Sequence, residues 1–268
     1  MRVIVTGGSS GLGRATAAAL AAAGHSVVIA ARTMPKAQQA AAEMTGDVEA
    51  RHLDLADLSN VRRFAESVET VDVLINNAGV LRDRLTRTVD GFEAHMGTNH
   101  LGHFALTCLL GDRIKERVVS VTSANYVFGR IHFDDLNWHT RDYSMWAAYA
   151  DSKLAVMLFI DELARRGVRA YAANPGAANT DIVRHSPRWL RWMDEHLPLR
   201  PAQAPSVAAR SVIQAVSTDL PSGSYLAPRF SQFGSPKAAT PRRKARDSAV
   251  SRRLWEMSAE LTGCDWRP

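Results

Sequence analysis

A chain of 268 residues, 46% apolar and 22% charged, can bury a large core in one α/β domain and has the composition of an ordinary globular protein. No stretch reaches the ~18–20 strongly apolar residues of a membrane span, and the start lacks a signal-peptide pattern, so a cytoplasmic location is expected. The formal charge of +6 does not point to nucleic acid: Ser235 to Arg253 holds seven Lys/Arg against one Asp, which is the whole surplus, and no aromatic residue for base stacking.

Arg2-Val-Ile-Val-Thr6 is a short β-branched run that reads as a strand buried on both faces. Gly7-Gly-Ser-Ser-Gly-Leu-Gly13 follows, then an Ala-rich helix to Ala23 stopped by Gly24, then a second buried strand, Ser26 to Ala31. Strand, glycine turn, helix, strand is half of a doubly wound nucleotide-binding sheet. The turn needs backbone angles open only to glycine, and bare amides at the helix start suit a pyrophosphate. The glycines at 7, 11 and 13 depart from the usual G-x-G-x-x-G spacing. At the end of the second strand an acidic residue would hold a ribose 2′-OH; here stand Ala31 and Arg32, and the Arg32 fork suits a 2′-phosphate. A solvated surface Arg is the plainer alternative. Arg14 adds charge near the same end.

Met34 to Met44 reads as an amphipathic helix, and Val48 to Leu53 as a third strand leading to Asp54-Leu55. A helix is expected from a Ser59 cap to Val68, then a fourth strand, Val71 to Ile75, running into Asn76-Asn77-Ala78-Gly79 at the ligand-binding edge of the sheet. Asp90 to about Leu110 reads as one long helix carrying Asn99, a buried amide that needs partners and, taken alone, reads first as a structural hydrogen bonder. His100 and His103 on the same helix read as packing or surface residues, since no ligand cluster accompanies them. Arg117 to Ser123 is a fifth strand ending in hydroxyls. After an irregular stretch, Ala124 to Tyr143, a helix from about Ser144 to Arg166 places Tyr149 and Lys153 on one face, where an ammonium would lower the phenol pKa; on spacing alone, a surface pair is the plainer reading. A further helix, Ser206 to Val216, and a last strand, Gly223 to Ala227, complete the pattern. Cys108 and Cys264 lack metal or redox spacing and read as reduced thiols.

In register with these strands, Thr6-Gly-x-x-x-Gly11-x-Gly13, Asp54, Asn76-Asn-Ala-Gly79, Asn99, Ser123, Tyr149-x-x-x-Lys153 and Pro175-Gly176 follow one another in an order that resembles the short-chain dehydrogenase/reductase family, from about Arg2 to Thr180. Asp90-Gly-Phe-Glu, Thr98-Asn-His-Leu-Gly-His-Phe104, the gap between Ser123 and Tyr149, and Arg253 to Gly263 as a closing helix look like its retinol-dehydrogenase-like branch, which includes protochlorophyllide-reductase-like members. The departures are Thr122, where a second Ser is common, and Ala178, where a larger apolar residue is usual.

The resemblance implies a single Rossmann-type domain, helices on both faces of a doubly wound parallel sheet, a substrate lid at about 181–205 and a basic C-terminal segment at about 235–268. It implies Tyr149 as proton donor or acceptor, Ser123 as hydrogen-bond donor to the reacting oxygen, and Lys153 on the nicotinamide ribose and beside Tyr149. Asn99 would hold a relay water behind Lys153. Cofactor contacts would come from Thr6, Gly7, Ser9, Ser10, Gly11, Leu12, Gly13, Arg32, Asp54, Leu55, Asn77, Ala78, Gly79, Tyr149, Lys153, Pro175, Gly176 and Thr180. NADP(H) is favoured over NAD(H), with no metal, and the substrate is a small carbonyl or alcohol compound. A C=C reductase uses the same Tyr and Lys; a non-catalytic NADP(H)-binding regulator would be expected to lack one of Ser123, Tyr149 and Lys153; an epimerase of the extended type needs a larger C-terminal part. Ile182 to Leu199, with Trp189, Trp192 and Met193, reads either as a lid over an apolar pocket or as a surface helix packing its own aromatics. The basic segment is expected to be solvated and partly mobile, anchored by Trp255, with weak membrane-surface contact as the alternative.

Overall fold

The apolar runs are buried because helices cover both faces of one sheet. The computed structural model describes residues 1–177 and 203–266. Its first half alternates β1 (Arg2–Thr6), α1 (Gly11–Ala22), β2 (Ser26–Ala31), α2 (Met34–Ala42), β3 (Val48–His52), α3 (Leu58–Glu66) and β4 (Val71–Asn76). A π-helix (Met96–Leu101) runs into α4 (Gly102–Leu110), followed by β5 (Ile114–Val121), α5 (Met145–Arg165) and β6 (Ala170–Ala173). The last described part holds α6 (Pro205–Ala208), α7 (Arg210–Ser217), β7 (Tyr225–Pro228), β8 (Pro236–Ala239) and α8 (Ser248–Thr262).

The strands lie in the order β3-β2-β1-β4-β5-β6-β7-β8, parallel through β7, with β8 antiparallel. Alternation along β1 divides the core: Ile4 belongs to the cluster under α4, α5 and α8, and Val3 and Val5 to the cluster under α1 and α7. Between β1 and β4 the winding reverses, which leaves a crevice beyond the carboxyl ends of those strands.

Several element boundaries differ from the sequence reading for local reasons. Asp57 caps α3, its carboxylate accepting from the Ser59 and Asn60 N–H groups, so Ser59 lies inside the helix. The helix expected from Asp90 forms only after Glu93, whose carboxylate accepts the His95 and Met96 N–H groups. The basic segment keeps most of its charged side chains exposed, as expected, and is tied to the body at several points. Pro236–Ala239 pairs with β7, the Lys244 ammonium donates to the Gly129 carbonyl at 2.7 Å, and the Arg253 guanidinium lies 4.1 Å from the Phe133 ring centroid. Trp255 is buried, stacked on Phe159 with centroids 5.8 Å apart and edge-on to Phe104 at 4.8 Å. Such pairs add about 0.5–1.5 kcal/mol each beyond area burial. Among the described residues, no helix is long and apolar enough to cross a membrane. Residues 181–202 of the expected lid, with Trp189, Trp192 and Met193, lie outside the described residues, as does Thr180.

Candidate active site

The carboxyl ends of β1 to β6 open on one cavity of about 520 Å³. Its first wall is the glycine turn. Gly7 and Gly11 take φ of +66° and +50°, which L side chains rarely adopt. A Cβ on Gly13 would run into the Gly7 carbonyl and the Asn77 side-chain amide. Ser10, the N-cap of α1, makes no side-chain cap bond, so the first-turn amides are left for a ligand at a helix end that favours anions. That open, Cβ-free cradle fits the pyrophosphate of a dinucleotide.

Beyond β2, Arg32, Thr33 and Lys36 line the cavity where an adenosine 2′-substituent would lie. Lys36 was not foreseen, although its place four residues after Arg32 was a legible signal. Arg14 pairs instead with the Glu43 carboxylate, so its charge is not directed at a phosphate. Asp54 and Leu55 line the next wall, then Asn77, Ala78 and Gly79, and Pro175 and Gly176 close the far end. The wall continues through Val80, Leu81 and Arg82, which the sequence did not single out, and Thr98, which opens the branch motif but was not expected at the site.

At that far end stand Ser123, Tyr149 and Lys153, all lining the cavity. Ser144 caps α5 and sets the register that brings Tyr149 and Lys153 to its inner face. The Lys153 ammonium donates to the Val121 carbonyl at 3.1 Å and lies 5.7 Å from the centroid of the Tyr149 ring. Burial lowers Lys153 to about 8. Burial also pushes the Tyr149 phenol up to about 12, although its hydrogen bond with Ser123 acts the other way. This is the reverse of the lowering expected from the Tyr–Lys spacing: the ammonium faces the ring and is held by a carbonyl, so desolvation wins. Thr122 is buried and donates to the Lys153 carbonyl at 3.1 Å, tying β5 to α5.

Two expected site residues do not line the cavity. Thr6 is fully buried, and its hydroxyl accepts the Asn77 and Ala78 N–H groups at 2.9 and 3.0 Å. With both lone pairs filled, its proton goes to His103 Nε2, 2.8 Å away, and His103 Nδ1 donates to the Asn99 carbonyl at 3.1 Å. Burial lowers His103 to about 4, consistent with a neutral ring. Asn99 is the other; its side chain accepts from Val80 N–H at 2.8 Å and donates to Ser152 Oγ at 3.0 Å. Both residues organise the cavity from behind.

Residues 1–191 match the short chain dehydrogenase family. The chain belongs to that family. It is 43% identical to retinol dehydrogenase 13 of Homo sapiens, over 98% of this chain and 85% of the relative, and 38% identical to retinol dehydrogenase 12 of Homo sapiens over 98% and 87%. Among solved structures it is similar to an uncharacterized protein from Mycobacterium paratuberculosis, with a TM-score of 0.88 and 43% identity over 100% of this chain and 95% of that one. A short chain dehydrogenase from Burkholderia cenocepacia J2315 in complex with NADP gives a TM-score of 0.63 and 26% identity, covering 81% and 91%. This short-chain dehydrogenase therefore stands in the retinol-dehydrogenase-like branch and is an oxidoreductase of alcohol and carbonyl groups that uses a nicotinamide cofactor.

Proposed function

We propose that this enzyme interconverts an apolar alcohol and its carbonyl compound with NADP(H), Tyr149 being the proton donor in reduction and the acceptor in oxidation. The carrying observation is that one cavity joins Ser123, Tyr149 and Lys153 at one end to Arg32 and Lys36 at the other. The Arg32 guanidinium and the Lys36 ammonium suit a 2′-phosphate, which NADP(H) has and NAD(H) lacks. The open amides of α1 would hold the pyrophosphate, and Pro175 and Gly176 would border the nicotinamide end. When bound, the nicotinamide supplies or takes up the hydride.

The chain's own residues handle the oxygen. Ser123 Oγ hydrogen-bonds the substrate oxygen and stabilises the charge that develops there. Tyr149 gives its proton to that oxygen in reduction and removes one in oxidation. Lys153 would hold the ribose hydroxyls and, as an ammonium, would favour the phenolate that follows proton transfer. Asn99 acts from behind, tying Val80 to Ser152 and so to the Tyr149 turn of α5. The relatives' names support retinoid-like, long apolar primary alcohols and aldehydes as the substrate class.

The test is a survey of retinal, straight-chain and aromatic aldehydes with NADPH and with NADH. Long apolar aldehydes should be reduced with kcat/KM at least about tenfold higher with NADPH than with NADH, the size of one charge-assisted contact. Equal use of the two cofactors, or turnover only of small polar carbonyls, would overturn this reading.

A further inference from the structure

His95 and Asn99, one helical turn apart, bridge the same two walls of the cavity. One wall is Val80–Arg82, all of which lines it; the other is α5, which carries Tyr149 and Lys153. Asn99 takes the Val80 N–H and reaches Ser152, whose hydroxyl donates to the Tyr149 carbonyl at 2.7 Å. His95 repeats the arrangement. Its Nε2 accepts the Arg82 N–H at 2.9 Å, and its ring meets the Tyr149 ring edge-on, centroids 6.1 Å apart at 76°.

A backbone N–H can only donate, so Nε2 is the bare nitrogen and the proton sits on Nδ1. Nδ1 lies 2.7 Å from Glu93 Oε1. Glu93 is fully buried and also receives the His95 N–H at 3.0 Å, the Met96 N–H at 2.8 Å and the Tyr143 hydroxyl at 3.3 Å. Burial raises the Glu93 carboxyl and the hydrogen bonds from His95 and Met96 lower it, with a net shift below its ordinary value; both its oxygens accept N–H donors, as a carboxylate does. The Tyr143 ring lies near parallel to His95, centroids 6.4 Å apart at 19°, with its hydroxyl 3.1 Å from Nδ1. Capping the helix needs only the two backbone bonds. A buried carboxylate is costly, and here four donors converge on one that grips a single imidazole.

We propose that Glu93 and His95 are positioning residues for the reaction: Glu93 fixes the His95 ring in one tautomer and orientation, and His95, together with Asn99, sets the separation between the cavity wall at Val80–Arg82 and the Tyr149 phenol. The proposal rests on the assignment of Tyr149 as the proton-transfer group. A displacement of about 1 Å in such a site can cost on the order of a hundredfold in rate without loss of binding.

The experiment compares wild type, His95→Gln, Glu93→Gln and Tyr149→Phe for reduction of a long-chain aldehyde with NADPH. The NADPH Kd is measured by fluorescence titration and folding by thermal melts. Glu93→Gln keeps the shape of the side chain and carries the comparison if His95→Gln does not fold. For both positioning variants kcat should fall about 10–100-fold, with NADPH Kd within about threefold of wild type. A folded variant with kcat within about twofold of wild type, or one that loses NADPH affinity as much as kcat, overturns the proposal. An inactive Tyr149→Phe beside fully active His95 and Glu93 variants overturns the positioning claim alone. A Tyr149→Phe enzyme with normal turnover overturns the proton-transfer assignment and the positioning claim with it.

Discussion

Tyr149 holds its proton more tightly than its spacing from Lys153 suggests, because protein crowds the phenol while the ammonium is turned to the Val121 carbonyl. The consequence is directional. A phenol at about 12 is protonated throughout pH 6 to 8, as reduction requires, whereas oxidation needs the proton removed first. Oxidation should therefore climb with pH, whereas reduction should be nearly flat from pH 6 to 7 and begin to fall toward pH 8, where Lys153 starts to lose its proton; a flat oxidation profile, measured on kcat, would contradict the role of Tyr149. At the other end of the cavity, Arg32→Ala should weaken NADPH binding about tenfold to a hundredfold and leave NADH binding nearly unchanged, as loss of a contact worth about 1.5–3 kcal/mol would. Equal losses for the two cofactors, read by titration, would show that Arg32 only supports the fold.

Among the elements, the glycine turn tolerates least. Gly13→Ala would force its Cβ into the Gly7 backbone carbonyl and the tip of the Asn77 side chain, which is held by the Thr6 carbonyl at 2.7 Å. It should cost about 1–3 kcal/mol in urea unfolding and abolish measurable NADPH binding. A variant that binds NADPH normally would show that the turn has room to spare. This turn was legible because its glycines sit between a β-branched run and an Ala-rich one; Tyr149 and Lys153 share a helix face by spacing, but they were legible as a site only in register with the other family motifs. Other features were not. Pro236-Lys-Ala-Ala lacks apolar alternation, and it becomes β8 through backbone bonds to the edge of β7. Glu93 and His95 looked like the polar start of a helix; what singles them out is contact with Arg82 and Tyr149, which tertiary packing alone supplies. Thr6 matched a cofactor motif, yet it serves from behind, since its hydroxyl is taken up by Asn77, Ala78 and His103.

For the whole molecule, burial sets the response to acid. His100 and His103 are buried, and desolvation lowers them to about 3 and about 4. The unfolded chain takes up protons on these groups near pH 6.5, and the fold does so only well below that. Their contribution is thus complete above pH 6.5 and is lost as pH falls toward 4, at about 1.4 kcal/mol per pH unit for each. Urea unfolding should show roughly 4 kcal/mol less stability at pH 5 than at pH 7, before most carboxylates titrate. Equal stability at the two pH values would mean that these imidazoles are not buried neutral. The same packed body must hold one phenol against the reacting oxygen, and the most direct test is to remove that phenol's hydroxyl alone. In Tyr149→Phe, single-turnover reduction of a long-chain aldehyde by NADPH should fall about 10²–10⁴-fold, the usual worth of general acid catalysis, while NADPH Kd stays within about threefold. Near-normal turnover with intact cofactor binding would contradict the account.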